Sequence, residues 1–306
     1  MRKPENQFYI QMQLSALSYL YFAANVHNTH MKPSKRKTLA GFVDGLQSKG
    51  RISFTADEAE QALGVKRASL HSAVRKMRED GKLLLVRNGY YVIVPPQYAN
   101  VGTPPIEWYI DPLMERENIP YYVGLLKAAA YYGATHQAVM EFQVIAGKQI
   151  PAIQVGRSRI GFYYRKSMEA IEEGIESRKT DAGYIRCSSP ELTALDLLRY
   201  PHACGGIQHI ATVLSDLGRE LDPPKLALLA LSFEKHQVQR LGYLLDFVGY
   251  EKSARHLLRV LESQERVSWA ELTPFPRSTD PGLVPVVTER DRRWRINVRT
   301  PIEIDE

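Results

Sequence analysis

Apolar residues recur at helical spacing in short runs that begin at residue 38. Thr38 can cap the first helix, in which the apolar positions follow the i, i+3, i+4, i+7 pattern of an amphipathic helix. These positions are Leu39, Phe42, Val43 and Leu46. After an extended piece at 51–54, Thr55 and Glu58 have the spacing of a capping box, in which each side chain satisfies a backbone amide. The pattern therefore predicts a second helix that stops at Gly64.

A third run follows after a tight turn. Over residues 66–80, Leu70, Val74 and Met77 lie on one stripe of the helix, and Gly81 ends it. Its opposite side is polar and cationic, so we expect that side to stay exposed while the apolar stripe packs on the first two helices.

Two β-rich runs come next, at 83–86 and 90–94. Asn88-Gly89 lies between them and is a strong hairpin signal, because both residues tolerate positive φ. Three short helices with a tight turn between the second and third, followed by a hairpin, predict a winged helix-turn-helix over residues 35–96.

Prolines at 95, 96, 104 and 105 indicate a linker, and we place a domain boundary there, with a second domain over 97–306. Helices are predicted at 107–116, 122–132, 190–199, 206–217, 224–232, 237–248 and 251–261, and strands at 141–146, 150–155, 160–165, 184–187 and 294–298. Central strands followed by many helices predict a larger mixed α/β (α+β) domain with a helical C-terminal part.

The amino-terminal extension, residues 1–34, lies outside this pattern. Its apolar stretch at 8–24 is too short and too polar for a membrane span, and no small-x-small cleavage site follows Arg2 and Lys3. It is either an additional amphipathic helix or a mis-annotated start before Met31. We expect a cytoplasmic protein without membrane contact.

The positive charge is concentrated in one block. The chain of 306 residues has a net charge of +6, but residues 31–95 hold thirteen basic and six acidic side chains, and everything after residue 95 carries −2. Such a block is typical of a nucleic-acid module attached to a body with another task. The two cysteines, Cys187 and Cys204, exclude a disulfide framework and a Cys-based zinc site, and we expect them to be core thiols.

The candidate DNA contacts lie on the third helix and in the hairpin turn. They are Lys66, Arg67, Ser69, Ser72, Arg75, Lys76, Arg87, Asn88 and Tyr90. Arg67 or Arg75 could read guanine through paired hydrogen bonds, Lys66 and Lys76 are expected to neutralise phosphates, and Arg87 could reach phosphate or a minor groove. A solvated helix face, or a protein-protein module, is the alternative interpretation of the same pattern.

No catalytic, metal or cofactor motif is found. The sequence has no Walker loop, G-x-S-x-G, H-E-x-x-H or G-x-G-x-x-G pattern, and its eight histidines lack metal-site spacing. His136 is expected to be structural. Glu169, Glu172, Glu173 and Glu176 recur at near-helical spacing, which indicates a solvated helix face rather than a metal site.

Four segments carry a family resemblance: 122–137, Phe142-Gln-Val-Ile145, 189–196 and 239–245. With them, residues 35–300 resemble AbiEi-type antitoxins of type IV toxin-antitoxin pairs. The resemblance implies a winged helix that represses the shared operon by binding promoter repeats, and a C-terminal domain that contributes to DNA binding and neutralisation. It also implies that Arg67, Ser72, Arg75, Lys76 and Arg87 correspond to DNA-contacting positions, and it supplies no catalytic residue.

We therefore expect a non-enzymatic, DNA-binding antitoxin and autorepressor that needs no cofactor. Its functional partner would be a nucleotidyltransferase-like toxin, although a stable complex between them is not implied. Two alternatives stay open: a ligand-responsive winged-helix regulator, and a nuclease-like enzyme that uses Glu169 and Glu172.

Overall fold

The computed structural model describes residues 38–135, 139–274 and 285–304. The amino-terminal extension and His136 lie outside these residues. None of the described helices is long and apolar enough to cross a bilayer.

The amino-terminal segment, defined here as residues 38–94, consists of α1 (Leu39–Gln47), β1 (Ser53–Thr55), α2 (Ala56–Leu63), α3 (Arg67–Glu79), β2 (Leu83–Arg87) and β3 (Tyr90–Ile93). The two predicted helix caps are confirmed. The Gly41 amide donates to Thr38 Oγ1 at 3.2 Å. In the capping box, the Glu58 amide donates to Thr55 Oγ1 and the Thr55 amide donates to Glu58 Oε2, both at 3.1 Å.

The strands of this segment form an antiparallel sheet in the order β1-β3-β2. One face of it packs on the helices, where Phe54 lies against the rings of Phe42 and Tyr91. The buried side chains of this core include Leu39, Val43, Leu46, Ala59, Leu70 and Val74. The predicted apolar stripes therefore do form the contact between helices and sheet.

The body follows as α4 (Ile110–Glu117), β4 (Tyr121–Val123), α5 (Leu125–Tyr131), β5 (Glu141–Ala146), β6 (Ile153–Val155), β7 (Ser158–Tyr164), β8 (Ile175–Thr180), β9 (Gly183–Ser188), α6 (Pro190–Arg199), α7 (Gly206–Leu217), α8 (Pro223–Ala230), α9 (Lys235–Phe247), α10 (Glu251–Glu262), β10 (Ala270–Glu271), β11 (Glu289–Asp291) and β12 (Ile296–Val298). Within the described residues, a six-stranded mixed sheet has the order β6-β7-β5-β4-β9-β8, and a small sheet has the order β10-β12-β11. The predicted mixed α/β class is confirmed.

Several predicted elements were wrong. The helix expected at 122–132 is divided into β4 and α5, because Tyr122 and Val123 pair with β5 in the middle of the sheet and Leu125 takes a left-handed φ of 55°. The acidic stretch is not one helix face: Glu169–Gly174 forms a 3-10 helix and Glu176 lies on β8. Burial raises the pKa of both cysteine thiols, and both lie in the core as expected.

The amino-terminal sheet shares a hydrophobic core with the body. Ile52, Val86, Tyr90 and Val92 belong to the same buried cluster as Tyr109, Ile110, Leu113, Val123 and Val144. Between the two parts, the Tyr98 ring meets the Trp108 ring edge-on at 5.3 Å. The position of α3 is therefore set by packing against the body as well as by its own segment.

A charged group is buried where the sheet meets α6. Asp196 has no exposed surface, and its carboxylate accepts hydrogen bonds from the Tyr122 hydroxyl at 2.6 Å and from Arg165 Nη1 at 3.0 Å. Arg165 is only 3% exposed, and its guanidinium lies 4.5 Å from the centre of the Phe233 ring. These contacts join β4, the end of β7 and α6.

Candidate nucleic-acid interface

Helix α3 is anchored by its apolar stripe and turns its polar side outward. Leu70 and Val74 are buried, which places the positions about half a turn away on the open side. The predicted contacts on or next to this helix are all exposed: Lys66, Arg67, Ser69, Ser72, Arg75 and Lys76. Ser69, Ser72, Arg75 and Lys76 thus share one accessible face. Arg67, three and seven positions before Leu70 and Val74, lies at its edge, beside the carboxylates of α2.

The cations of this face differ in how strongly they are held by neighbouring carboxylates. Arg67 Nη1 lies 2.7 Å from Asp57 Oδ1 and 3.3 Å from Glu60 Oε1, and the hydrogen bond to Asp57 raises the pKa of Arg67. Arg75 Nε lies 2.9 Å from Glu79 Oε1, yet 81% of its side chain is exposed. Exposed pairs of this kind contribute little stability, so these arginines can exchange partners at small cost.

Lys66 and Lys76 form no ion pair with any of the described residues. Their ammonium groups are therefore available as point charges. This suits a phosphate contact, which needs charge more than fixed geometry.

The hairpin turn is packed more tightly than expected. Arg87 is half-buried and Asn88 is exposed, but the Asn88 carbonyl accepts a hydrogen bond from Arg116 Nη2 at 3.0 Å. The Gly89 carbonyl accepts one from the Ala56 amide at 2.8 Å. Of Asn88 and Gly89, only Gly89 has a positive φ, of 70°. The turn is thereby fixed to the start of α2 and the end of α4.

Tyr90 was predicted as a DNA contact, and this residue must be corrected. It is only 2% exposed, and its hydroxyl donates to the Tyr109 carbonyl at 3.3 Å. Burial raises its pKa to about 12. Tyr90 therefore joins the hairpin to the body and offers no surface to a groove.

Sequence reasoning missed Arg116. A methyl group in place of a Gly89 hydrogen would lie 3.6 Å from Arg116 Nη2 and 3.7 Å from Arg67 Nη2, so both guanidinium groups converge on the turn. Arg116 lies on α4, beyond the predicted DNA module, and no spacing pattern in the sequence connects it to Arg67. Only the tertiary packing of α4 against the hairpin shows it.

Part of the predicted charge excess lies outside the described residues. Lys32, Lys35, Arg36 and Lys37 precede the first residue that the structure describes, and residues 38–94 hold nine basic and six acidic side chains. The remaining positive field is thus modest and is concentrated on α3 and the turn.

The glutamates considered for a nuclease do not gather into a site. Glu172 pairs with Arg186 at 2.6 Å, and Glu176 pairs with Lys225 at 2.7 Å. Across 38–135, 139–274 and 285–304, no group of three or more His, Cys, Asp or Glu side chains is placed to hold a metal ion.

Comparison with known proteins shows a similarity to one family model and to solved structures. Residues 122–247, from β4 to the end of α9, match the model of the AbiEi antitoxin C-terminal domain. The crystal structure of the RV2827C protein from Mycobacterium tuberculosis superposes with a TM-score of 0.63 at 16% identity, over 87% of this chain and 93% of that chain. At this identity the likeness shows a shared fold. No curated protein matches the sequence.

Proposed function

Residues 122–247 match the model of the AbiEi antitoxin C-terminal domain, and on that premise we propose that this chain is a DNA-binding antitoxin of a type IV toxin-antitoxin pair. It represses its own operon and counteracts a nucleotidyltransferase-like toxin. It acts in the cytoplasm, without a cofactor and without catalysing a reaction itself. Its opposition to the toxin does not require a stable complex between the two proteins.

The observation that carries the DNA-binding part is the exposed polar face of α3. The order α1-β1-α2-α3-β2-β3, with β3 between β1 and β2, is the arrangement a winged helix requires. In that fold the second helix of the helix-turn-helix enters the major groove. Ser69, Ser72, Arg75 and Lys76 then face base edges and phosphates.

We assign Arg67 and Arg116 to a DNA contact beside the hairpin turn. Both converge on the turn at Gly89, at the edge of the α3 face. Guanidinium groups at this position are suited to bind a phosphate through paired hydrogen bonds. They are equally suited to enter a minor groove, where the narrow width enhances the negative potential. The shared core beneath the sheet holds the body in a fixed direction relative to the duplex.

Substitutions on α3 separate base reading from phosphate contact. We expect Arg75→Ala to weaken binding to the operon's own promoter and to relax discrimination at one base position by about 1–3 kcal/mol. Lys76→Ala should weaken binding to all duplexes about equally and lower the slope of log K against log salt by about 1. Titration of fluorescent duplexes at several salt concentrations measures both effects.

Lys179→Ala is the charge-matched control, since Lys179 is exposed on β8, an edge strand of the body. Its affinity should stay at the wild-type value. If all three variants kept wild-type affinity and salt dependence, the α3 face would not be the interface.

Removing a carboxylate that competes with DNA for an arginine should raise DNA affinity, whereas the α3 substitutions lower it. Asp57 is 83% exposed and is the nearer carboxylate partner of Arg67. Asp57→Asn leaves the guanidinium with the longer contact to Glu60, at 3.3 Å, and removes a negative charge near the duplex. We expect DNA affinity to rise up to about fivefold, as for the loss of an exposed ion pair. Asp44→Asn, an exposed change on α1, is the control. If Asp57→Asn bound DNA no more tightly than Asp44→Asn, the contact between Arg67 and DNA would be refuted.

The antitoxin part needs a separate test. A nucleotidyltransferase-like reading frame beside this gene is expected. Co-expression of this chain should relieve the growth arrest caused by that product. If co-expression did not relieve the growth arrest while the chain still bound the promoter, the chain would be a transcriptional regulator without antitoxin activity.

A further inference from the structure

Arginine side chains line a cavity of about 390 Å³ at the carboxyl-terminal end of α10. They are Arg266, Arg292, Arg293 and Arg295, and the end of α10 also lines the cavity, with Leu258, Leu261 and Glu262. All of these residues lie beyond the segment 122–247 that matches the antitoxin domain. The cavity also shares no residue with the α3 face that carries the DNA-binding proposal.

The backbone that carries these arginines is in an unusual conformation. Arg266 and Arg295 both have φ of 51°, in the left-handed region that side chains other than glycine rarely occupy. Such residues persist where the surroundings over-determine them, and they concentrate at ligand sites. Both of these arginines line the same cavity here.

Side chains of α9 donate hydrogen bonds to the backbone at both residues with left-handed φ, Arg266 and Arg295. Lys235 Nζ donates to the Glu265 carbonyl and, at 3.4 Å, to the Arg266 carbonyl. The Nε2 group of the buried Gln239 lies 2.8 Å from the Trp294 carbonyl and 3.3 Å from that of Arg295. These hydrogen bonds fix the direction in which the two arginines leave the chain before any ligand arrives.

The cationic charge of the cavity is only partly neutralised. Arg293 Nη1 pairs with Asp246 Oδ2 at 3.0 Å, and Arg295 Nη1 donates to the Val267 carbonyl. Arg266 and Arg292 are exposed and form no ion pair with the residues that the structure describes. Like charges that line one cavity repel one another, so an anion bound among them removes an unfavourable interaction.

We propose that this cavity binds a compact oligophosphate, either free tripolyphosphate or the phosphate chain of a nucleoside triphosphate. Guanidinium groups bind phosphate oxygens through two parallel hydrogen bonds, which makes arginine suited to this ligand. The volume lies within the range of small-molecule sites. Several guanidinium groups around one cavity match an anion with several negative charges.

The surroundings favour a compact anion over a nucleic-acid strand. Glu262 lines the cavity, and Glu265 and Asp291 directly precede Arg266 and Arg292 in the chain. A duplex carries a charge about every 1.7 Å and needs an extended basic track. Carboxylates beside the arginines interrupt such a track but leave room for a ligand held inside the cavity.

The test is calorimetric titration of the full chain with tripolyphosphate and, separately, with ATP, in a buffer free of phosphate. One molecule should bind per chain, and the binding should raise the thermal unfolding midpoint. Arg292→Gln should weaken it about tenfold or more, as expected for loss of charge-assisted hydrogen bonds, and the double variant Arg266→Gln, Arg292→Gln should abolish it. The control is Lys252→Gln, Arg255→Gln, which removes the same charge from exposed residues of α10 outside the cavity.

Competition between tripolyphosphate and ATP with similar affinity would support a site for the phosphate chain, and binding of ATP alone would assign the nucleotide as its source. Absence of binding by both would overturn the proposal. So would equal weakening in the control pair, because that would show a diffuse charge effect. Loss of duplex binding in the cavity variants, without oligophosphate binding by wild type, would assign the cavity to nucleic acid instead.

Discussion

Replacing Arg165 with methionine is expected to lower the free energy of unfolding by about 3–5 kcal/mol. Arg165 is the cationic partner of Asp196, which has no exposed surface, and the two are 3.0 Å apart. Methionine fills much of the same volume but leaves a buried carboxylate whose remaining hydrogen-bond donor is the Tyr122 hydroxyl. Urea denaturation followed by tryptophan fluorescence measures the loss.

The pH dependence identifies the cause of that loss. Burial raises the pKa of Asp196 to about 6, against the opposing charge of Arg165, and removing Arg165 raises it further. A carboxyl with a folded pKa above its unfolded value of about 3.9 binds more protons when folded, so its contribution to stability falls as pH rises between those two values. The deficit of Arg165→Met should therefore be larger at pH 8 than at pH 5.

A second substitution serves as the control. Asp196→Asn removes the charge that Arg165→Met leaves unpaired, so the double variant should recover most of the lost stability and most of the pH dependence. A deficit that is equal at both pH values and is not recovered would show that lost packing against Phe233, and not the unpaired carboxylate, is responsible.

Local signals in the sequence predicted the amino-terminal segment well. Thr38, the capping box of Thr55 and Glu58, and the stop at Gly64 act within one helical turn, so their effect can be read without knowing the rest of the fold. The exposed face of α3 followed from the spacing of Leu70 and Val74 for the same reason. Most of the candidate contact face was therefore available from the sequence.

The features that were missed depend on distant partners. Tyr122 and Val123 stand beside a helical pattern, but pairing with β5 and the hydrogen bond to Asp196 place them in a strand. Tyr90 was assigned to the surface because its neighbours form a turn, whereas its hydroxyl reaches Tyr109 on the body. Tertiary packing outweighs local preference in such cases, and no spacing rule within the segment reveals it.

Gly242→Ala is the second substitution for which we expect a large loss, of about 3 kcal/mol or more. The new methyl group would lie 2.1 Å from the Trp294 ring. That ring is only 1% exposed, and its Nε1 donates to Asp246 Oδ2 at 2.7 Å, so it cannot move without breaking a hydrogen bond. Overpacking a dense core usually costs about 1–3 kcal/mol. If the Trp294 ring moves to relieve the clash, its hydrogen bond to Asp246 is lost as well, which adds to the cost.

Gly45→Ala is the matched control, because Gly45 is also inside a helix but has open space around it. Alanine there should raise stability by about 0.5–1 kcal/mol through its higher helix propensity. Since Trp294 also lines the arginine cavity, Gly242→Ala should weaken oligophosphate binding under conditions where the chain remains folded, while Gly45→Ala should leave it unchanged. Equal unfolding midpoints for the two variants would mean that Trp294 and α9 can separate at little cost, and that the cavity wall is not fixed by this contact.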